Sequence, residues 1–277
     1  MIPPREQWCV QIEVTNACPR ACSNCTRMTA HVREPFYMSL DQFEEACYAL
    51  ADFPAESTPN PNAGAPRGRK CVGMIGGEPQ IHPEFPGLVS IMERVIPRRR
   101  DRGLWTGVHL DPATSRKFGY INHNQHDSHC VHQPVLVGVQ EVVRDEEQMW
   151  GLINQCELQR QWSSSITPKG FFFCEVAAAL DMVFDGPGGV PVTPGCWRHD
   201  LAFYRDQIER WCPRCGVCLP LTGRPDDEER DDISPANLEA LRTLGSPRVL
   251  AGDCVVADVD RYTPPGGAWE PLRYLRG

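Results

Sequence analysis

A mixed α/β fold around a mostly parallel sheet is predicted by three observations. Strand-like and helix-like segments alternate through the first hundred or so residues, the order that gives parallel strands joined by crossover helices. Hydrophobic residues make up 41% and charged residues 23%, which supports a packed core and excludes wholesale disorder. The N-terminal part spans about 150 residues, too few for a closed eight-unit barrel, which needs ~250. The expectation is a partial, open (β/α) barrel of about five to six parallel strands over residues 1–150. A small β-hairpin-containing domain over 151–245 follows, then an extension, 246–277, packing back on the barrel.

The segment Trp8 to Val14, WCVQIEV, alternates and is rich in β-branched residues, the pattern of a buried strand. Ser39-Leu40-Asp41-Gln42 has the form of a capping box opening a helix. Phe43, Cys47 and Leu50 recur at helical spacing behind it, which makes Cys47 a core residue. Lys70 to Ile75 is a second strand, with Cys71 buried in it, and Pro83 to Ile96 a second amphipathic helix with Leu88, Ile91, Met92 and Val95 inward. Arg98-Arg99-Arg100 with Arg102 sits among acidic neighbours, as in a solvated helix end. Val135 to Val139 is expected to be a buried strand and Asp145 to Cys156 a helix. The turn Thr167-Pro168-Lys169-Gly170, followed by the strand Phe171 to Cys174, signals a hairpin. Asp226 to Asp232 is expected to be an acidic solvated loop, and Ser234-Pro235 starts a helix that Gly245 ends.

Lys and Arg total 28 against 36 Asp and Glu, a net charge of −8. With no excess cation for phosphates, general nucleic-acid binding is excluded. No apolar run approaches the ~20 residues of a membrane helix, and the opening MIPPREQWCV has no signal-peptide core. The chain is therefore expected to be soluble and cytoplasmic. Fourteen cysteines in such a chain point to metal binding or catalysis rather than to disulfides.

Cys18, Cys22 and Cys25 are spaced C-x3-C-x2-C in a loop directly after the first strand. Three thiolates can hold one face of a metal cluster; a zinc knuckle is the alternative and needs a distant fourth ligand. A [4Fe–4S] cluster is usually held by four thiolates, so three leave one iron open. Gly76-Gly77-Glu78-Pro79 ends the second strand, about 50 residues downstream. Together these two motifs resemble the radical S-adenosylmethionine (SAM) superfamily. The resemblance implies that Cys18, Cys22 and Cys25 hold a [4Fe–4S] cluster whose open iron is chelated by SAM. The reduced cluster donates one electron to the sulfonium, and the resulting 5′-deoxyadenosyl radical abstracts hydrogen from a C–H bond. It also implies that Gly76 and Gly77 let backbone approach the methionyl end of SAM, where no Cβ intrudes, and that Glu78 meets its ammonium or shapes the ribose site. Asn24 departs from the family, many members of which carry an aromatic residue there, beside the adenine.

His123, His126, His129, Cys130 and His132 crowd into ten residues of the middle segment. They suit a metal site, contacts to SAM or substrate, or a polar loop. Asn122 and Gln140 are candidate cofactor contacts and His126 a candidate substrate contact.

The hairpin brings Cys156 near Cys174, and Cys212, Cys215 and Cys218 follow as C-x2-C-x2-C. Two cysteines from each make a four-thiolate site, for which structural zinc is the simplest reading in isolation. Beside the first two motifs, the segment resembles the twitch module, a shortened SPASM domain binding an auxiliary [4Fe–4S] cluster. The resemblance is greatest to the butirosin-pathway dehydrogenase of an amino-cyclitol and to related aminoglycoside enzymes. It implies Cys156, Cys174, Cys212 and Cys215 as ligands, with Cys218 as an alternative and Cys196 and Cys254 in surplus. The implied function is a radical SAM enzyme of oxidoreductase or lyase type in natural product biosynthesis, supplied with electrons by a flavodoxin or ferredoxin. Its substrate is a small polar molecule, such as a sugar or aminocyclitol. The reaction is dehydrogenation, with the auxiliary cluster taking the ketyl electron, or dehydration. One alternative is a peptide maturase forming crosslinks or epimerising residues, for which Cys9, Cys130, Cys196 and Cys218 are unassigned thiols. A non-enzymatic iron–sulfur or zinc-stabilised carrier is another, although a carrier has no use for the Gly-Gly-Glu-Pro segment.

Overall fold

The computed structural model describes residues 1–56, 70–123, 131–156, 158 and 163–261. Its strands are β1 (Cys9–Thr15), β2 (Cys71–Gly76), β3 (Arg102–Thr106), β4 (Tyr120–His123), β5 (Val131–His132), β6 (Ser163–Thr167), β7 (Gly170–Phe172), β8 (Arg224–Pro225), β9 (Asp231–Ile233) and β10 (Cys254–Val256). The main sheet has the order β4-β3-β2-β1-β6-β7. The first five strands of that order are parallel, and β7 runs antiparallel to β6. Four of the parallel strands, β1 to β4, fall within residues 1–150, one short of the expected five to six; the fifth, β6, comes from the hairpin, whose returning arm is the sixth strand of the sheet.

Every residue of β1 is buried. Val10, Ile12 and Val14 join Phe43, Cys47 and Leu50 of the helix Leu40–Leu50 and Leu88 and Met92 of the helix Phe85–Val95 in one core. The capping box forms: the Gln42 N–H donates to Ser39 Oγ and the Ser39 N–H to Gln42 Oε1, both at 3.2 Å. The opposite face of β1 carries Cys9, Gln11 and Glu13, all buried. Cys9 and Cys71 sit side by side among Trp8, Ile75, Trp105 and Tyr120.

Several expectations are corrected. The hairpin β6–β7 completes the main sheet, so the boundary expected at residue 150 does not separate two sheets. Val135 to Val139 is buried but is not a strand of the main sheet. Its carbonyls accept from loops instead: Val135 from the Gly216 N–H (3.0 Å) and Leu136 from the Ser234 N–H (3.2 Å). An apolar run signals burial, and here burial comes without ladder pairing. Arg102 is not solvated; it opens β3, and its guanidinium donates to the carbonyls of Ile96, Pro97 and Lys117. The acidic stretch 226–232 is not a solvated loop, since Asp226 and Asp231 are buried. Among the described residues no helix is long and apolar enough to cross a membrane.

Candidate functional site

Parallel strands present their carboxyl ends at one edge of a sheet, where α/β proteins place their ligands. The loop bearing Cys18, Cys22 and Cys25 leaves β1 at this edge, and Gly76-Gly77-Glu78 leaves β2 beside it. The Gly77 N–H donates to the Thr15 carbonyl (2.8 Å) and the Glu78 N–H to that of Ala17 (2.9 Å). A Cβ on Gly76 would stand 2.1 Å from the Thr15 carbonyl oxygen, and one on Gly77 2.1 Å from that of Ala17 and 2.9 Å from Cys18 Cβ. The space that these glycines leave is thus filled by the cysteine loop itself. One use of the glycines is visible: close packing of two backbones.

Glu78 is buried and its carboxylate is engaged. Oε1 accepts from Thr106 Oγ1 (2.8 Å) and the Gln80 N–H (3.1 Å), and Oε2 from the Gly107 N–H (2.7 Å). It ties the end of β2 to the end of β3 and so orders the edge.

The cysteine loop is braced from the far end of the chain. Asn24 has a left-handed backbone, φ 50°, and its side chain pairs with Asp232: Oδ1 accepts from the Asp232 N–H (2.9 Å) and Nδ2 donates to its carboxylate (2.8 Å). The Asn24 N–H donates to Asp231. Buried Asp231 also receives Arg248 Nε and His31 Nε2, each at 2.9 Å. Arg248 reaches the Ala21 carbonyl (2.8 Å), the Ser23 N–H donates to Asp226 O (2.9 Å), and His132 Nδ1 donates to Ser23 O (2.7 Å). Burial pushes the Asp231 carboxyl up, but the His31 hydrogen bond and the His31 and Arg248 charges hold it below its ordinary value. Asn24 thus ties the cysteine loop to β9. Burial, with the neighbouring Cys25 charge adding to it, pushes the Cys18 thiol up to about 11 and that of Cys22 to about 12.

The second group forms in space as well. Cys156, Cys174, Cys212, Cys215 and Cys218 line one small hollow of about 30 Å³, otherwise walled by Ile153, Leu158, Phe173, Val176, Leu180 and Trp211 among others. Cys218, the alternative ligand, therefore stands with the four expected ones; buried Cys196 and half-buried Cys254 do not line the hollow. Burial pushes Cys174 up to about 12 and Cys212 and Cys215 well above the ordinary thiol value, with neighbouring cysteines adding to it. At the turn beneath, Gly170 has φ +123° and Lys169 pairs with buried Asp181 of the helix Glu175–Val183 (2.5 Å).

Between the groups lies a feature that the residue-by-residue reading passed over. Arg27, two residues after Cys25, is buried between Glu13 (2.7 Å) and Glu175 (2.5 Å), the residue after Cys174. Ser165 Oγ donates to Glu13 at 2.9 Å, and Arg27 donates to Gln11 Oε1 at 3.2 Å. Gln11 Nε2 and Arg27 Nε are buried with no hydrogen-bond partner. Burial raises the Glu13 carboxyl; burial lowers Arg27, but the Glu175 and Glu13 charges outweigh it and keep the guanidinium charged.

Two of the remaining candidates, Asn122 and Gln140, fall among the described residues. Asn122 is half-buried on β4 opposite Trp105. Gln140 is exposed on a helical turn, Val139–Val142, whose Val139 N–H donates to Cys215 O, beside the second group rather than the first. His126, with His129 and Cys130, lies outside the described residues.

Among the described residues no three His, Cys, Asp or Glu side chains converge to hold a single metal ion. The donor chemistry of both groups, thiols carried on short loops, suits an iron–sulfur cluster. No protein-family model matches the chain, and no curated protein matches it. A solved structure, that of BtrN in complex with AdoMet and 2-DOIA, aligns with 16% identity over 76% of this chain and 92% of that one, at a TM-score of 0.43. A likeness of that size carries no functional weight.

Proposed function

We propose that this chain is a radical SAM enzyme with an auxiliary cluster, acting on a small polar substrate such as a sugar or aminocyclitol by dehydrogenation or dehydration. The observation that carries the reading is the fit of the Cys18–Cys25 loop against Gly76-Gly77-Glu78, at the carboxyl ends of adjacent parallel strands. A [4Fe–4S] cluster bound there with SAM supplies a 5′-deoxyadenosyl radical for hydrogen abstraction. Cys18, Cys22 and Cys25 hold that cluster, and Asp231, Arg248 and His132 fix the loop that presents them. Four of Cys156, Cys174, Cys212, Cys215 and Cys218 would hold the auxiliary cluster in an apolar setting. The hollow supports this second assignment, because a set of thiols with no metal role has no reason to face one space.

The test is anaerobic reconstitution with iron and sulfide, followed by SAM and dithionite. Release of 5′-deoxyadenosine, with about eight irons per chain as two such clusters require, is expected. A flavodoxin or ferredoxin should replace dithionite, and polyols are the first substrates to screen, peptides the second. Cys18→Ala should abolish deoxyadenosine release; release at the wild-type rate from that variant would refute the reading.

A further inference from the structure

Taking the two-cluster reading as its premise, we infer that Arg27, held between Glu13 and Glu175, is the fixed charge that sets the reduction equilibria of both cysteine sites together. The placement follows from the sheet. The first site leaves β1 after Thr15. Cys9 is level with Ser163 on β6, and β7 runs back along β6 with Phe172 opposite Ser165. Cys174 therefore leaves the sheet near the level of Cys9, at the opposite edge. The six steps from Cys9 to Thr15, at ~3.3 Å each, separate the two levels by roughly 20 Å. Arg27 enters from the first site and ends on Glu175, next to Cys174, passing Glu13 and Gln11 on the way. It stands between the sites and is tied to the chain at both.

Three charges in a space this dry are expensive to bury, and a well-packed apolar set is often as stable. Arg27 and Glu175 have side-chain exposures of 5% and 2%, so water screens them little. A guanidinium does not lose its proton in a protein. The group is therefore a permanent positive charge whose two carboxylates decide how much of it each site feels. Arg27 is a positioning and tuning residue; nothing places it on a reacting atom.

The sign can be tested. Glu175→Gln removes one negative charge and leaves the guanidinium less compensated, so both sites should become easier to reduce, the second more than the first. A unit charge about 10 Å away at an effective dielectric near 20 shifts a one-electron equilibrium by about tenfold, which is about 59 mV. The double variant Arg27→Gln, Glu175→Gln removes the cation too, and both potentials should return toward wild type. A purely structural strut predicts the reverse order, with the double variant the more disturbed. The experiment is an anaerobic potentiometric titration of the reconstituted protein with dithionite, one electron entering each cluster, read by EPR alongside iron counting. If wild type carries two clusters and neither variant moves either potential by threefold, the role of Arg27 is refuted and the reading of function stands. If wild type carries fewer than two clusters, both fall. Should Glu175→Gln fail to load iron, Arg27→Lys decides: it keeps the charge and loses the fork, so potentials within about threefold of wild type support the inference and a tenfold displacement overturns it.

Discussion

Replacing Gly77 by alanine tests the contact on which the first site depends. The added Cβ would lie 2.1 Å from the Ala17 carbonyl oxygen, 2.6 Å from its carbon and 2.9 Å from Cys18 Cβ. Two of these neighbours are backbone, so no rotamer change relieves the clash. Ordinary contact begins near 3.4 Å, and the two backbones must part by about 1.3 Å, the difference from 2.1 Å. That movement breaks or stretches the bonds from the Gly77 N–H to Thr15 O and from the Glu78 N–H to Ala17 O. Each is worth ~1 kcal/mol net, and overpacking adds ~1–3 kcal/mol, so a loss of about 2–5 kcal/mol is expected. Urea unfolding under anaerobic conditions measures it, and iron per chain after reconstitution reports the site. Gly151 is the control: it lies in the helix Glu146–Asn154 with nothing within 4 Å of an added Cβ. Gly151→Ala should stabilise by ~0.5–1 kcal/mol and leave iron binding unchanged. Gly77→Ala within about 0.5 kcal/mol of wild type, with full iron loading, would refute the reasoning.

Cys174→Ala should lose the iron of the second group and keep that of the first, halving iron per chain; equal loss from both would show that the groups are not separate sites. Asp231→Asn should destabilise by about 3–5 kcal/mol, because it leaves Arg248 and His31 facing an uncharged partner in a buried network, and EPR should show the first site depleted while the second is retained. The Asp231 carboxyl is depressed in the folded state, so its contribution is present above the unfolded value of ~3.9 and lost as pH falls through the lower folded value. Urea midpoints below about pH 4 should therefore fall in wild type and flatten in the variant. Burial lowers Lys70 to about 7, with the Glu6 charge opposing it in part. The unfolded chain then holds a proton that the folded one lacks between about pH 7 and ~10.4, and stability rises with pH across that window. Lys70→Met should remove this rise, read as the pH dependence of the difference between the two urea midpoints; a parallel course would contradict the lowered value.

The elements legible in the sequence were those with a local signal. Alternation gave β1, the capping box gave the helix Leu40–Leu50, and the Pro168 to Gly170 turn gave the hairpin. The five-cysteine hollow was legible because loop spacing and a hairpin suffice to bring those residues together. β3 and β4 went unassigned, since Arg-Gly-Leu-Trp-Thr and Tyr-Ile-Asn-His are short and mixed in polarity, and their burial comes from neighbours. The acidic stretch 226–232 was misread for a related reason. A run of Asp and Glu is normally solvated, and the arrival of Arg248, His31 and the Asn24 N–H makes burial of Asp231 tolerable. Glu13 and Arg27 gave one weak signal, charged residues on or beside a strand otherwise fit for the core, and their pairing with Glu175 had no local trace.

The two cysteine groups are built on different dependencies. The second draws on residues 156 to 218 and closes through a hairpin and a turn. The first is encoded before residue 26, yet the hydrogen bonds that fix its loop come from Asp226, Arg230, Asp231, Asp232 and Arg248, about two hundred residues later. Contacts of such separation form only after a large loop has closed. Asn24 is the clearest case: its amide faces Asp232 and binds the loop to a segment about two hundred residues away. The bracing of this loop thus depends on the segment from Asp226 to Arg248, whose acidic composition had suggested only surface.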